Sequence, residues 1–225
     1  MPEAPNAVPE LASDPTSRKK FLRMAGGTGI AASFAVFVAA CGDDKSSSSA
    51  KSTPMSTPMA SADGTEQFGK GDLGIANYAL TLEYLETQFY NDAAESGMLK
   101  GKTLELAKGF GAEEQEHIDA LIALIKKSGG KPAAKPKAKF PLDSAKSILD
   151  LAATVENLGA AAYLGQAGNI QDKEILAAAL SIHSVEARHA AVLNLATKAA
   201  PAAGAFAKPA TAADVLKSVK PFLLS

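Results

Sequence analysis

Two short stretches share one pattern of reactive side chains. Glu114-Gln115-Glu116-His117 and Glu186-Ala187-Arg188-His189 both read Glu-x-x-His. On a helix, positions i and i+3 lie on one face, so the carboxylate and imidazole of each stretch point at a common spot. Carboxylate oxygen with imidazole nitrogen is a donor pair for a divalent transition metal. One such pair on a solvated helix face carries little weight, and the question is whether other donors stand in register with it.

They do. Glu83 in TLEYLETQFY and Glu156 in TVENLGAAAY sit in matching surroundings: Thr81 with Thr154, Leu85 with Leu158 and Tyr90 with Tyr163. The offset from Glu83 to Glu156 is 73 residues, and the offsets from Glu114 to Glu186 and from His117 to His189 are both 72. The chain thus contains a degenerate repeat of a two-helix unit whose copies pair about a pseudo-two-fold axis. The repeat also selects Glu83 over Glu86, because Glu86 aligns with Gly159.

One Glu from each of two helices, with Glu-x-x-His from each of the other two, is the donor set of carboxylate-bridged di-iron and di-manganese bundles. Two divalent cations bring four positive charges and the four glutamates cancel them. The imidazoles favour iron or manganese over calcium or magnesium. The expected ligands are therefore Glu83, Glu114, His117, Glu156, Glu186 and His189. Tyr90 and Tyr163 are expected to bond ligating carboxylates, and Glu113 to orient a histidine. Glu86 and Glu116 read as solvated or as outer supports, and His183 as core or support.

Helical periodicity supplies the elements that must position these groups. Apolar residues recur at three- and four-residue steps over 72–96, 102–127, 144–167 and 172–199, with a shorter amphipathic piece over 212–224. Gly97 predicts a C-cap for the first helix, and Asp143 or Ser144 an N-cap for the third. No stretch alternates with period two for long, so the expected fold is all-α. Short links make the first two and the last two helices antiparallel neighbours. Between the second and third lies GGKPAAKPKAKFPL. Extended, those roughly 14 residues reach about 45 Å, and a 25-residue helix is about 38 Å long. A long crossover spanning the bundle is thus expected. The alanines at 160–162 and 177–179 favour close approach of the third and fourth helices over a cavity.

The bulk numbers fit one globular domain with appendages. The chain has 225 residues and a net charge of −1, and no basic stripe interleaves with aromatics, so a nucleic-acid partner is disfavoured. Ser17-Arg18-Lys19-Lys20-Phe21-Leu22-Arg23 resembles a twin-arginine export signal with Lys19 in place of the second arginine. The apolar run 24–40 follows and ends in Val38-Ala39-Ala40-Cys41-Gly42, similar to a lipobox. Residues 1–41 thus read as an export signal and Cys41, the only cysteine, as a lipid attachment point. Residues 42–67 have the Ser/Thr/Pro composition of a flexible tether, and 68–225 form the expected bundle.

NYALTLEYLETQFYNDA, GAEEQEH, SVEARH and FAKPATAADVLKSVKPFLL resemble the ferritin-like superfamily, in particular bacterial exported ferritin-like proteins related to desiccation and stress. The resemblance implies a dimetal four-helix bundle with its crossover and the six ligands named above. The chain departs from the oxygenase pattern Asp-Glu-x-Arg-His at Val185, where an outer-shell aspartate would stand. The expected activity is oxidation of Fe(II), or reduction of dioxygen or peroxide, by two Fe ions in a lipid-anchored envelope protein, with a homodimer compatible with the pattern. The alternatives are a manganese catalase-like peroxidase with two Mn ions, and a stress-protective protein whose metals only stabilise the bundle.

Overall fold

The computed structural model describes residues 64–224. The export signal, Cys41 and most of the tether lie outside the described residues. A 3-10 turn at Glu66–Phe68 leads into four long helices: α1 (Gly71–Glu95), α2 (Lys102–Lys127), α3 (Ala145–Ala167) and α4 (Lys173–Ala196). A short helix α5 (Ala212–Val219) follows and runs into a 3-10 turn at Lys220–Phe222, where Pro221 stops the α-helical ladder. Among the described residues there is no strand, only an isolated bridge between Ala138 and Leu223. No helix among them is long and apolar enough to cross a membrane.

The caps are local and specific. Ser144 caps α3 in a reciprocal box with Ser147, and the Asp172 carboxylate caps α4 by accepting from Glu174 N at 2.7 Å and Ile175 N at 3.1 Å. Each such cap stabilises its helix by about 1 kcal/mol. Gly97, with φ 74°, turns the chain out of α1 in a conformation that costs glycine little. The sequence reading carried α4 to 199, but the helix ends at Ala196. Thr197 closes its last turn and Lys198 takes a positive φ of 65°.

Directions follow from contacts. Tyr90 meets Glu156 and Tyr163 meets Glu83, so α1 and α3 are antiparallel. His117 lies near Glu186 and His189 near Glu114, so α2 and α4 are antiparallel too. The Asp72 carboxylate near the start of α1 accepts from the backbone of Gln171 and Asp172 just before α4, which makes those two helices parallel.

With α2 and α3 parallel, the link between them must traverse the bundle. It climbs along α1: the Asn77 side chain bonds the backbone of Lys131 and Ala133, Gln88 donates to Ala138 O at 2.7 Å, and Phe140 packs edge-on against Phe89. The C-terminal segment then pairs with this crossover through Lys139 N to Phe222 O and Leu224 N to Lys137 O.

The apolar core falls into two parts. One, around Phe89, Phe110, Ile148 and Leu193, reaches out to α5; the other gathers Leu80, Leu121, Ile125 and Ile175. Four glutamates, Glu83, Glu114, Glu156 and Glu186, have no exposed surface at all. Buried carboxylates of this kind cost several kcal/mol each unless something compensates them.

Candidate metal centre

The structure brings together all six residues expected from the repeat. Glu83, Glu114, His117 and Glu186 form one group, and Glu114, Glu156, Glu186 and His189 a second. Within each, one donor atom per residue lies within 4.8 Å of the others. The pseudo-two-fold exchanges Glu83 with Glu156, Glu114 with Glu186 and His117 with His189, so it converts one group into the other. Glu114 and Glu186 belong to both.

Glu114 shows how the sharing works. Its Oε2 lies 2.7 Å from Nδ1 of His117, and its Oε1 lies 2.9 Å from Nδ1 of His189. One carboxylate therefore presents an oxygen to each group. Nδ1 of His117 is also 3.3 Å from Glu83 Oε2 and 3.4 Å from Glu186 Oε1, and Nδ1 of His189 is 3.4 Å from Glu156 Oε2.

These spacings fit cations. Donors about 2.1 Å from a metal stand about 3 Å apart when adjacent and about 4.2 Å apart when opposite. Hydrogen bonding accounts for only part of the cluster, the contacts of His117 Nδ1 with Glu114 and Glu83. Glu114 Oε1, Glu156 Oε2, both oxygens of Glu186 and Nδ1 of His189 are buried without a hydrogen bond, although the last is 2.9 Å from a carboxylate. Short separations without hydrogen-bond alignment are what donors show when they face a shared central point rather than one another.

A family model for the ferritin-like domain matches residues 71–199, which takes in all four long helices. The chain belongs to the ferritin-like domain family. The domain also resembles the crystal structure of a conserved hypothetical protein from Mycobacterium tuberculosis, with a TM-score of 0.51 at 21% identity, over 60% of this chain and 96% of that one. No curated protein matches the chain.

Around the ferritin-like donor set, outer contacts fix the geometry. Tyr90 donates to Glu156 Oε1 at 2.5 Å, and Tyr163 donates to Glu83 Oε1. Nε2 of His189 is 2.5 Å from Glu113 Oε2, and the ring of Phe110 stacks on that imidazole with centroids 3.8 Å apart. Glu113 is 55% exposed, so it orients the ring from the rim. Its repeat partner is Val185, which offers His117 no such bond. His183 instead turns its Nδ1 to Ala160 O, and Glu116 faces solvent.

Of the two readings open for Glu86, the structure excludes the solvated one. Glu86 is 3% exposed, between α1 and α3, opposite Gly159. A Cβ on Gly159 would stand 2.7 Å from Glu86 Oε1 and 2.8 Å from Glu186 Oε2, so the missing side chain is what admits the extra acid. The pairing of Glu86 with Gly159 in the repeat was the available signal. The alanines differ from expectation as well: Ala162 and Ala179 line an apolar cavity of about 20 Å³ beside Tyr163 instead of closing it.

Metal-free electrostatics show how much the acids resist ionising. Burial drives Glu83 up to about 7 against the pull of His117, and burial with neighbouring acids carries Glu86 and Glu186 well above the carboxylate range. Burial raises Glu156 as well. For Glu114 burial acts upward too, but the two imidazoles beside it, His117 and His189, outweigh it and hold it at about 2. Burial would lower both histidines, yet their carboxylate bonds lift His117 to about 12 and His189 to about 11. Burial and the facing carboxylates raise both tyrosines, which keep their protons and donate.

Proposed function

We propose that this ferritin-like protein is a dimetal-carboxylate oxidoreductase that holds two iron ions and handles a small oxidant, dioxygen or peroxide, in iron or stress chemistry. The observation that carries the reading is Glu114, one buried carboxylate with an oxygen directed to each of two otherwise separate donor groups. When bound, a pair of redox-active cations supplies two one-electron donors side by side, enough to reduce dioxygen to peroxide or peroxide to water.

The chain's own part is positional and electrostatic. Glu83 and His117 define one position, and Glu156 and His189 the other, with Glu114 and Glu186 between them. Tyr163 and Tyr90 hold the end carboxylates in place by donating to Glu83 and Glu156, while Glu113 fixes the ring of His189. Phe110 and the surrounding core exclude bulk water. Four carboxylates and two imidazoles favour iron, with manganese next.

Export and lipid attachment at Cys41 belong to the same proposal and rest on the sequence motifs of residues 1–41. They would place the centre in the cell envelope.

Metal analysis of the purified protein, followed by dioxygen and peroxide consumption with Fe(II), tests the reading. The expected result is two ions per chain and rapid consumption of one oxidant. Two ions with no redox response would instead make the centre a folding staple, since metal binding contributes folding free energy directly.

A further inference from the structure

One buried acid is left over from the six donors. Glu86 stands outside both four-donor groups, and its Oε2 has no hydrogen bond. It lines a second cavity of about 20 Å³, set between α1, α3 and the C-terminal segment. Every other lining side chain is apolar: Leu85, Val155 and Leu158 belong to the bundle wall, Phe140 to the crossover, and Val215 and Val219 to the cover. At Gly159 the inner end is bounded by carboxylate oxygens and not by a side chain of α3. With no side chain there, nothing but the carboxylates of Glu86 and Glu186 fills the space a Cβ would occupy, and Glu186 is a donor shared by both metal positions.

We propose that this cavity is the port through which dioxygen reaches the metal pair, with Glu86 and Gly159 at its inner end. The inference rests on the dimetal reading above and adds the route and the class of oxidant. A cavity of this size has room for one small molecule. Water is a poor occupant, because a buried water is held by two to four polar partners and the wall supplies only Glu86. Hydrogen peroxide, with two donors to satisfy, meets the same shortage. An apolar diatomic loses nothing there.

The cover suits a port. It is a helix of 8 residues laid on the bundle through Ala212, Val215 and Val219, and its far end is held by two backbone bonds to the crossover. The cavity beside Tyr163 is lined by no carboxylate, and the phenol of Tyr163 on its wall is already bonded to Glu83.

Xenon reports small apolar cavities without any metal, so the first arm of the test is a crystal of the metal-free full chain pressurised with xenon. The second arm is Val219→Phe, which fills the cavity from the cover, with Val155→Phe as the alternative if that chain does not fold. The expected result is a xenon site beside Glu86 in the parent protein and none in the filled variant. Metal content should be equal in the two, and dioxygen consumption by the Fe(II)-loaded variant several-fold slower. Xenon found only beside Tyr163, or an unchanged dioxygen rate in a filled variant with full metal content, overturns the port. A parent protein that binds no metal pair overturns the dimetal reading and the port with it, and does so in the metal analysis, independently of the xenon map.

Discussion

The phenol of Tyr90 lies 2.5 Å from Oε1 of Glu156, across the bundle from its own helix, and Tyr163 returns the arrangement to Glu83. Each tyrosine thus supports the end carboxylate of the opposite repeat. Removing either hydroxyl leaves a buried carboxylate oxygen without its donor, and losses of such outer contacts weaken metal sites about 10–100-fold. Tyr90→Phe and Tyr163→Phe should each lower affinity for one ion by a similar factor, measured by competition with a chelator. Strongly unequal losses would contradict the matched support of the two end carboxylates.

Stoichiometry should separate shared from unshared donors. Glu114 and Glu186 serve both groups, whereas Glu83 and Glu156 serve one each. Glu114→Gln and Glu186→Gln are therefore expected to abolish binding of both ions, and Glu83→Gln and Glu156→Gln to leave about one ion per chain. Metal content of the purified variants reads this directly.

Glu113 breaks the symmetry. It bonds the outer nitrogen of His189, and the corresponding Val185 cannot do this for His117. Glu113→Ala should weaken the ion beside His189 by about 10-fold or more and leave the other unaffected. If both ions loosen together, the bond orients nothing specific.

The stability of the metal-free protein and the stabilisation added by metal should respond to pH in opposite senses. In the metal-free protein Glu83 is raised from 4.5 to about 7, so its contribution is full below pH 4.5 and is lost as pH climbs through 7. Glu86, Glu156 and Glu186 are shifted in the same direction. Glu114, lowered to about 2, matters only at the acid end, where its contribution disappears as pH falls from 4.5 through 2. The metal-free Tm should therefore fall between about pH 4.5 and 7. Metal binding displaces those protons, so the stabilisation added by metal should grow over the same interval. Thermal melts with and without chelator check both; a flat or rising metal-free Tm would count against the buried acids as the cause.

Much of this architecture was legible in the residues because it is written twice. Helical periodicity placed the four long helices to within a few residues, and the 72- and 73-residue offsets picked out the six side chains that the fold gathers. The exceptions share a cause. For Glu86 the sequence leaves a solvated carboxylate and an outer support both open, because the repeat gives it no twin. Its burial depends on a void made by Gly159 on another helix, which periodicity along one helix does not reveal. The end of α4 depended on Lys198 adopting a positive φ, which its residue type does not advertise. The cavity beside Tyr163 depended on how α1, α3 and α4 meet, and composition alone favoured contact.

The pairing of Glu86 with Gly159 also bears on how such a centre can be assembled. Each half of the chain holds three of the six donors, and neither half alone completes a group, since each group draws on both. Two identical halves associating as separate molecules would supply the same six donors, but position 86 and its counterpart would then carry the same residue. Two glutamates would collide there, and two glycines would leave no acid. Joining two unlike hairpins in one chain lets one keep the carboxylate while the other gives up its side chain to make room.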